Sequence, residues 1–337
     1  MLLILSEETD ITTDIVCNWL NHMGTRYLRI NQQNNVNLFD EIQIRSDYAD
    51  IRFIYNNKDY SIHEFEMVWF RRGYFNISDF PFCPEIPENT VKAMCAHFYD
   101  QRTTLLDYIY EQFTELPHIN DPKVYNINKL SVLRAAAQAG LRIPPTLVTT
   151  SLDIIQKFEK QQVSLITKDI RELVSVGHNH DGYFSSSTEK VELGNNCPER
   201  FWYSLFQKLI IKKYELRIFY WVGTFYCAAI FSQADKTSEI DFRNNDLNGN
   251  CPNRIVAYNL PDAIKHKLGN LMTRLNLESG SIDMIVDTRG EYFFLEVNPV
   301  GQFDFISKLC NFYIEKNIAN FFSHGTQTFT TNDCRRQ

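Results

Sequence analysis

The sequence has no long apolar run, no paired-cysteine motif and neither common glycine-rich phosphate signature, and each absence removes a class of protein. No apolar stretch is long enough to span a bilayer. The opening MLLILSEETD has a short apolar run and then acids, with no basic segment ahead of it, so it reads as neither signal peptide nor anchor. The eight cysteines stand singly (Cys17, Cys83, Cys95, Cys197, Cys227, Cys251, Cys310, Cys334). In a chain of 337 residues that pattern fits free thiols in a reducing cytoplasm better than a disulfide framework. Neither GxxxxGK[ST] nor GxGxxG occurs, which argues against a P-loop or a dinucleotide fold. Any phosphates bound here would have to be held by lysines, arginines, a metal and a flexible loop. With 34 basic and 41 acidic residues the net charge is -7, which disfavours general nucleic-acid binding.

What is present is a 44% hydrophobic chain able to bury a core across two or three lobes. Strand and helix patterns alternate from Leu2–Leu5 through a helix expected to be capped at Thr12 or Thr13 and to end at Gly24. The segment EMVWFRR reads as a buried strand emerging onto Arg71 and Arg72, and TVKAMCAHFYDQRTTLLDYIYEQF as a helix. This first lobe is expected to close near residue 117. A second begins with a helix capped by Asn126 or Asn128 and stopped at Gly140 before Pro144 and Pro145. The strand VSLITKDI carries Lys168, and the polar VSVGHNHDGYFSSST suggests a mobile hairpin. His178 and His180 within it are better explained as turn residues than as a metal pair, because no third ligand is near. The third section holds two strands joined at Val222-Gly223, an Asn-rich loop, a helix, and the pair SGSIDMIVD and YFFLEVN. The expected organisation is 1–117, 118–205 and 206–325, with a tail from 326.

The last pair carries the chemistry. Separated by a short loop, the two runs make an antiparallel hairpin that sets Asp287 opposite Tyr292 and Asp283 opposite Glu296. Glu296 and Asn298, two residues apart in a strand, share a face. Two facing carboxylates repel unless a cation separates them, and a few hard oxygens on one wall suit Mg²⁺, which completes its shell with water and phosphate. A solvated hairpin face with incidental acids fits the spacing equally well. Upstream cations favour the first reading: Lys129 opens a helix, Lys168 and Arg217 lie in strands, and Arg243 follows one. Glu215 shares a face with Arg217.

These residues occur in a recognisable order: NKLSVLRAAAQAGLRIPPTLVTT, Lys168 on a strand, a loop, FQKLIIKKYELRIFYWVG, DFR, SIDMIVD and FLEVNPVGQF. Over roughly residues 120 to 310 the chain resembles the ATP-grasp ligases. Through WFRR, SQ…DFR and LEVNPVGQF it resembles most their peptide-maturing branch, the graspetide (microviridin-type) ligases and grasp-with-spasm maturases. The resemblance implies an α/β (α+β) three-lobe fold with ATP between the central and C-terminal lobes. It also implies Mg²⁺ on Asp283, Glu296 and Asn298, phosphates on Lys129 and Lys168, adenine at the hinge Gln207, Lys208, Leu209 and Ile210, and ribose on Glu215. Arg217 and Arg243 would face the transferred phosphoryl group, and Arg71 and Arg72 would contact a precursor peptide. The implied reaction activates Asp or Glu side chains as acyl phosphates, which Ser, Thr or Lys then attack to close ester or amide rings. Family members are often dimers. Two departures stand out: Asp169 rather than proline follows Lys168, and the 175–187 loop is poorer in glycine. An amino-acid or small-acid ligase and a non-catalytic nucleotide- or peptide-binding module are the competing readings.

Overall fold

The computed structural model describes every residue except 34, 37, 47, 78–87, 125–126, 163, 172–175, 179–181, 185–187, 195–196, 233–252 and 325–337. The chain forms two compact units: Met1–Tyr125 with Asn276–Ser279 and Tyr313–Gln337, and Asn126–Leu275 with Gly280–Phe312. Among the described residues no helix is long and apolar enough to cross a membrane.

In the first unit a parallel sheet runs in the order Tyr27–Asn31, Leu2–Ser6, Met67–Phe70, His118–Ile119. Leu2–Ser6 and Met67–Phe70 are buried throughout, as interior parallel strands covered on both faces must be. The boundary expected at 117 therefore moves, because His118–Ile119 completes this sheet. The helix Ile11–His22 is capped by Asp10, not by either threonine: Thr12 and Thr13 are buried and turn their hydroxyls onto the Asp10 carboxylate. An antiparallel sheet of Leu38–Ile44, Ala49–Tyr55 and Lys58–Ser61 turns at Asn56-Asn57, both with positive φ, the geometry a two-residue hairpin demands. Its Phe53 joins Phe65, Phe75 and Phe113 in the core, which absorbs part of the aromatic content.

After Met67–Phe70 the chain folds tightly over the first strand. The N–H groups of Arg71, Arg72 and Gly73 all donate to the Leu5 carbonyl, at 3.0, 3.2 and 3.3 Å. A Cβ on Gly73 would lie 1.9 Å from the Ser6 carbonyl oxygen, so WFRR must be followed by glycine.

The second unit contains two larger sheets. One is antiparallel in the order Thr146–Ser151, Arg200–Lys208, Leu165–Lys168, Glu189–Lys190. The lobe boundary expected at 205/206 cuts Arg200–Lys208, whose pairing continues to Lys208 opposite Leu165; the two sheets part only after Lys208. The other sheet runs Arg254–Ala257, Thr224–Phe231, Lys212–Trp221, Ser279–Asp287, Tyr292–Asn298. Val222 and Gly223, at φ 41 and 85, make the expected turn between its second and third members. The helix Lys129–Gln138 is capped by Asn128, which accepts from Leu130 and Ser131 N–H, and it packs on Tyr292–Asn298. Val176–His178 and Gly182–Phe184 pair as the expected hairpin, with the turn between them, His180 included, outside the described residues.

Candidate active site

The terminal hairpin of the second unit brings Asp283 directly opposite Glu296, although the turn itself is one residue out of the expected register. Val286, not Asp287, faces Tyr292. A β-bulge between Asp283 and Met284 then absorbs Leu295 and restores the acid pair. Asp287 instead closes the turn, accepting from the N–H of Arg289 and of Glu291, both at 2.9 Å. Ser281 faces Asn298 one step along, so Ser281, Asp283, Glu296 and Asn298 line one face.

Each acid meets a cation of this chain. Both Asp283 oxygens accept from one nitrogen of Arg217, Nη1, at 2.8 and 2.8 Å, and Nη2 donates to the Gln302 carbonyl at 3.2 Å. The pair is deeply buried, with Arg217 8% and Asp283 6% exposed. Glu296 is held more loosely: its Oε2 lies 3.9 Å from Lys129 Nζ, and both groups are partly exposed. Lys129, Lys168 and Glu296 line one small cavity with Leu205, Leu295 and Val297. Three residues singled out from distant stretches of sequence thus converge.

The segment after Asn298 has a physical role here. Asn298 Oδ1 accepts from Val300 N–H at 3.0 Å and starts a tight turn. A Cβ on Gly301 would sit 2.4 Å from Ser281 Cβ and 3.3 Å from Arg217 Nη2. Only glycine lets the turn lie close enough for the Gln302 carbonyl to receive both Arg217 and the Ser281 hydroxyl, each at 3.2 Å. Phe303, fully buried, anchors it with its ring centroid 4.2 Å from that of Phe219.

The donor set suits Mg²⁺: two carboxylates and a carboxamide oxygen on one face of the hairpin. Asn298 Oδ1 keeps a second lone pair beyond its bond to Val300. No group of three or more His, Cys, Asp or Glu side chains among the described residues forms an all-protein cage.

At the hinge, Lys208 N–H donates to Pro145 O and Leu209 N–H to Ser164 O, so those two amides already have partners. Ile210 carries the hinge N–H with no hydrogen bond among the described residues. Gln207 is completely buried. Its Nε2 donates to Thr146 Oγ1 at 2.9 Å, and since that hydroxyl donates to Pro144 O, the amide orientation is settled. Gln207 Oε1 is thereby a buried acceptor that no described donor meets.

The other expected residues are placed as follows. Glu215 forms a buried ion pair with Lys212 and accepts from Ser232 Oγ at 3.2 Å, so it is engaged within the protein. Alternation gave no warning of Lys212, three residues away in a strand. Arg71 is 1% exposed, with Nε 3.2 Å from Asp10 Oδ2 and Nη2 donating to Thr12 Oγ1 at 3.1 Å. It braces the strand against the helix N-terminus rather than presenting itself to a substrate. Arg72 is partly exposed and pairs with Glu7 at 2.6 Å. Arg243 lies outside the described residues.

No family model and no curated protein matches the chain. Solved structures do. A RiPP-associated ATP-grasp ligase of Chryseobacterium gregarium, in complex with ADP and a leader and core peptide, is 22% identical with a TM-score of 0.76, over 97% of this chain and 96% of that one. The macrocyclase MdnC of Microcystis aeruginosa, bound with precursor peptide MdnA, is 22% identical with a TM-score of 0.73, over 95% and 98%. The ATP-grasp ligase PsnB, complexed with a variant of its minimal precursor, Mg and ADP, is 16% identical with a TM-score of 0.69, over 97% and 98%. The chain has the fold of the ATP-grasp ligases over 95% or more of its length. Within that class, the structures it resembles here are those of macrocyclases and ligases that act with precursor peptides.

Proposed function

We propose that this protein is an ATP- and Mg²⁺-dependent ligase that activates Asp or Glu side chains of a ribosomally made precursor peptide and closes ester or amide rings with Ser, Thr or Lys. The observation that carries this reading is the convergence of Lys129, Lys168 and Glu296 on one cavity, with Asp283 paired across from Glu296, in a chain whose fold matches peptide-modifying ATP-grasp ligases over nearly its whole length. Mg²⁺, when bound, would supply positive charge against the phosphates. The residues to hold it are Asp283, Glu296 and Asn298. Lys129 and Lys168 supply positive charge for the phosphates, and the hinge Gln207–Ile210 supplies the adenine contacts. Arg243 is assigned to the transferred phosphoryl group by resemblance. Of the two arginines assigned to the peptide, Arg72 is the partly exposed one. The 1–117 region is assigned to peptide contacts, and a cytoplasmic homodimer without nucleic-acid or membrane partners completes the proposal.

The test is mass spectrometry of candidate precursor peptides incubated with the protein, ATP and Mg²⁺. Each ring closure lowers the peptide's mass by one water and converts ATP to ADP and inorganic phosphate; unchanged masses for every peptide encoded beside the gene would overturn the assignment. The hinge can be tested separately. Gln207→Leu removes a buried acceptor suited to the exocyclic amine of adenine, worth about 1 kcal/mol. Titration of ATP and GTP by calorimetry should show ATP affinity falling roughly fivefold to tenfold and GTP affinity changing less.

A further inference from the structure

The two acids of the hairpin are not equivalent, and the difference lies in how Arg217 meets Asp283. One guanidinium nitrogen donates to both Asp283 oxygens at equal distance, so it fills the edge between them. That edge is where a cation would sit to be chelated by both oxygens. Arg217 is held there from the other side by the Gln302 carbonyl, in a turn that approaches only because residue 301 is glycine. Both partners are buried. Glu296, by contrast, has Lys129 Nζ 3.9 Å from its Oε2 and is more exposed.

We propose that Arg217 is a positioning residue that determines which metal the site accepts: by filling the chelating edge of Asp283 it restricts that carboxylate to one oxygen. The proposal rests on the metal-nucleotide reading above. Mg²⁺ demands octahedral geometry and takes carboxylates one oxygen at a time, so it loses nothing. Ca²⁺ takes six to eight oxygens and gains from bidentate carboxylates, so it is disfavoured. A fixed positive charge beside Asp283 also penalises any cation that enters without the phosphates that would neutralise it. The Gly301–Gln302 turn is thus part of the selectivity device without touching the metal.

The experiment uses the full chain with saturating ADP and follows bound Mn²⁺ by electron paramagnetic resonance while Mg²⁺ or Ca²⁺ displaces it. The readout is the ratio of the Ca²⁺ to the Mg²⁺ concentration that halves the signal. Arg217→Met should lower that ratio about tenfold, because Asp283 regains its second oxygen for Ca²⁺. This variant leaves a buried carboxylate without its guanidinium, so Gly301→Ala, which keeps Arg217 but displaces the Gln302 carbonyl, is the second arm and should move the ratio in the same direction by a smaller factor. A ratio unchanged in either folded variant overturns the proposal while leaving the metal site standing. Wild-type protein that binds no Mn²⁺ in the presence of ADP overturns the metal-nucleotide reading itself, and this proposal with it.

Discussion

Glu296→Gln is expected to lower ATP-dependent ligation by roughly three orders of magnitude with almost no change in thermal stability. The catalytic part follows from the proposed metal role. A carboxylate that holds Mg²⁺ against transferring phosphate supports several kcal/mol of charge stabilisation in the transition state, and each 1.36 kcal/mol is about tenfold in rate. The stability part follows from the site. Glu296 is partly exposed and lies 3.9 Å from a partly exposed Lys129, an arrangement worth less than about 1 kcal/mol. Asp283→Asn should lose activity similarly but also lose stability, since it leaves the buried Arg217 facing a neutral amide. Coupled ADP-release kinetics beside thermal melts separate the two. Full activity in Glu296→Gln would remove the residue from the metal site and favour a non-catalytic binding module.

Arg71→Met is expected to destabilise the first unit by about 3–5 kcal/mol, the usual cost of stripping one partner from a buried ion pair. Asp10 is fully buried and 3.2 Å from Arg71. Burial alone would raise its pKa, but the Arg71 guanidinium, the Thr12 and Thr13 hydroxyls and the Arg72 charge outweigh that and hold it below the ordinary carboxylate value. A depressed carboxylate stabilises the fold fully above its unfolded pKa of about 3.9 and loses that contribution as pH falls through the lower folded value. Wild-type protein should therefore keep this contribution down to about pH 4. In Arg71→Met, burial is no longer opposed by the guanidinium, and acid unfolding should begin at higher pH. Urea titrations followed by circular dichroism across pH 3 to 7 would check both. Adding Asp10→Asn to Arg71→Met should recover part of the loss, because the uncompensated charge then disappears. If Arg71→Met were as stable as wild type, the bracing role would be wrong and a peptide contact would again be open to it.

The facing acids of the hairpin were legible because their information is local. Strand alternation over Ser279–Asp287 and Tyr292–Asn298, joined by a short loop, leaves few ways to pair the two runs, and the buried positions Ile282, Phe294 and Val297 pin the faces. The expected turn was wrong by one residue and the expected acid pair was still right, because the bulge at Leu295 offsets the shift. Asn128 as helix cap and Val222-Gly223 as a hairpin turn were legible for the same reason: caps and tight turns depend on a handful of neighbouring residues.

Counter-ions were not legible. Arg217 and Asp283 are 66 residues apart, and Arg71 and Thr12 are 59 apart. A charge pattern shows that a strand carries an arginine but not whether that arginine faces a ligand or a carboxylate of its own chain. Arg71 and Arg72 look alike in WFRR, yet the tight turn onto the Leu5 carbonyl sends one side chain under the helix N-terminus and leaves the other partly in solvent. Glu215 likewise kept its strand and face but acquired Lys212 and Ser232 as partners. By itself the sequence determined the strand hairpin, the two acids that face each other, and the lysines that could serve phosphate, since alternation and local turns set these. Tertiary structure alone decided which cation answers which acid and why residues 299 to 303 take the form PVGQF, because a buried charge takes its partner from whatever packing brings within reach.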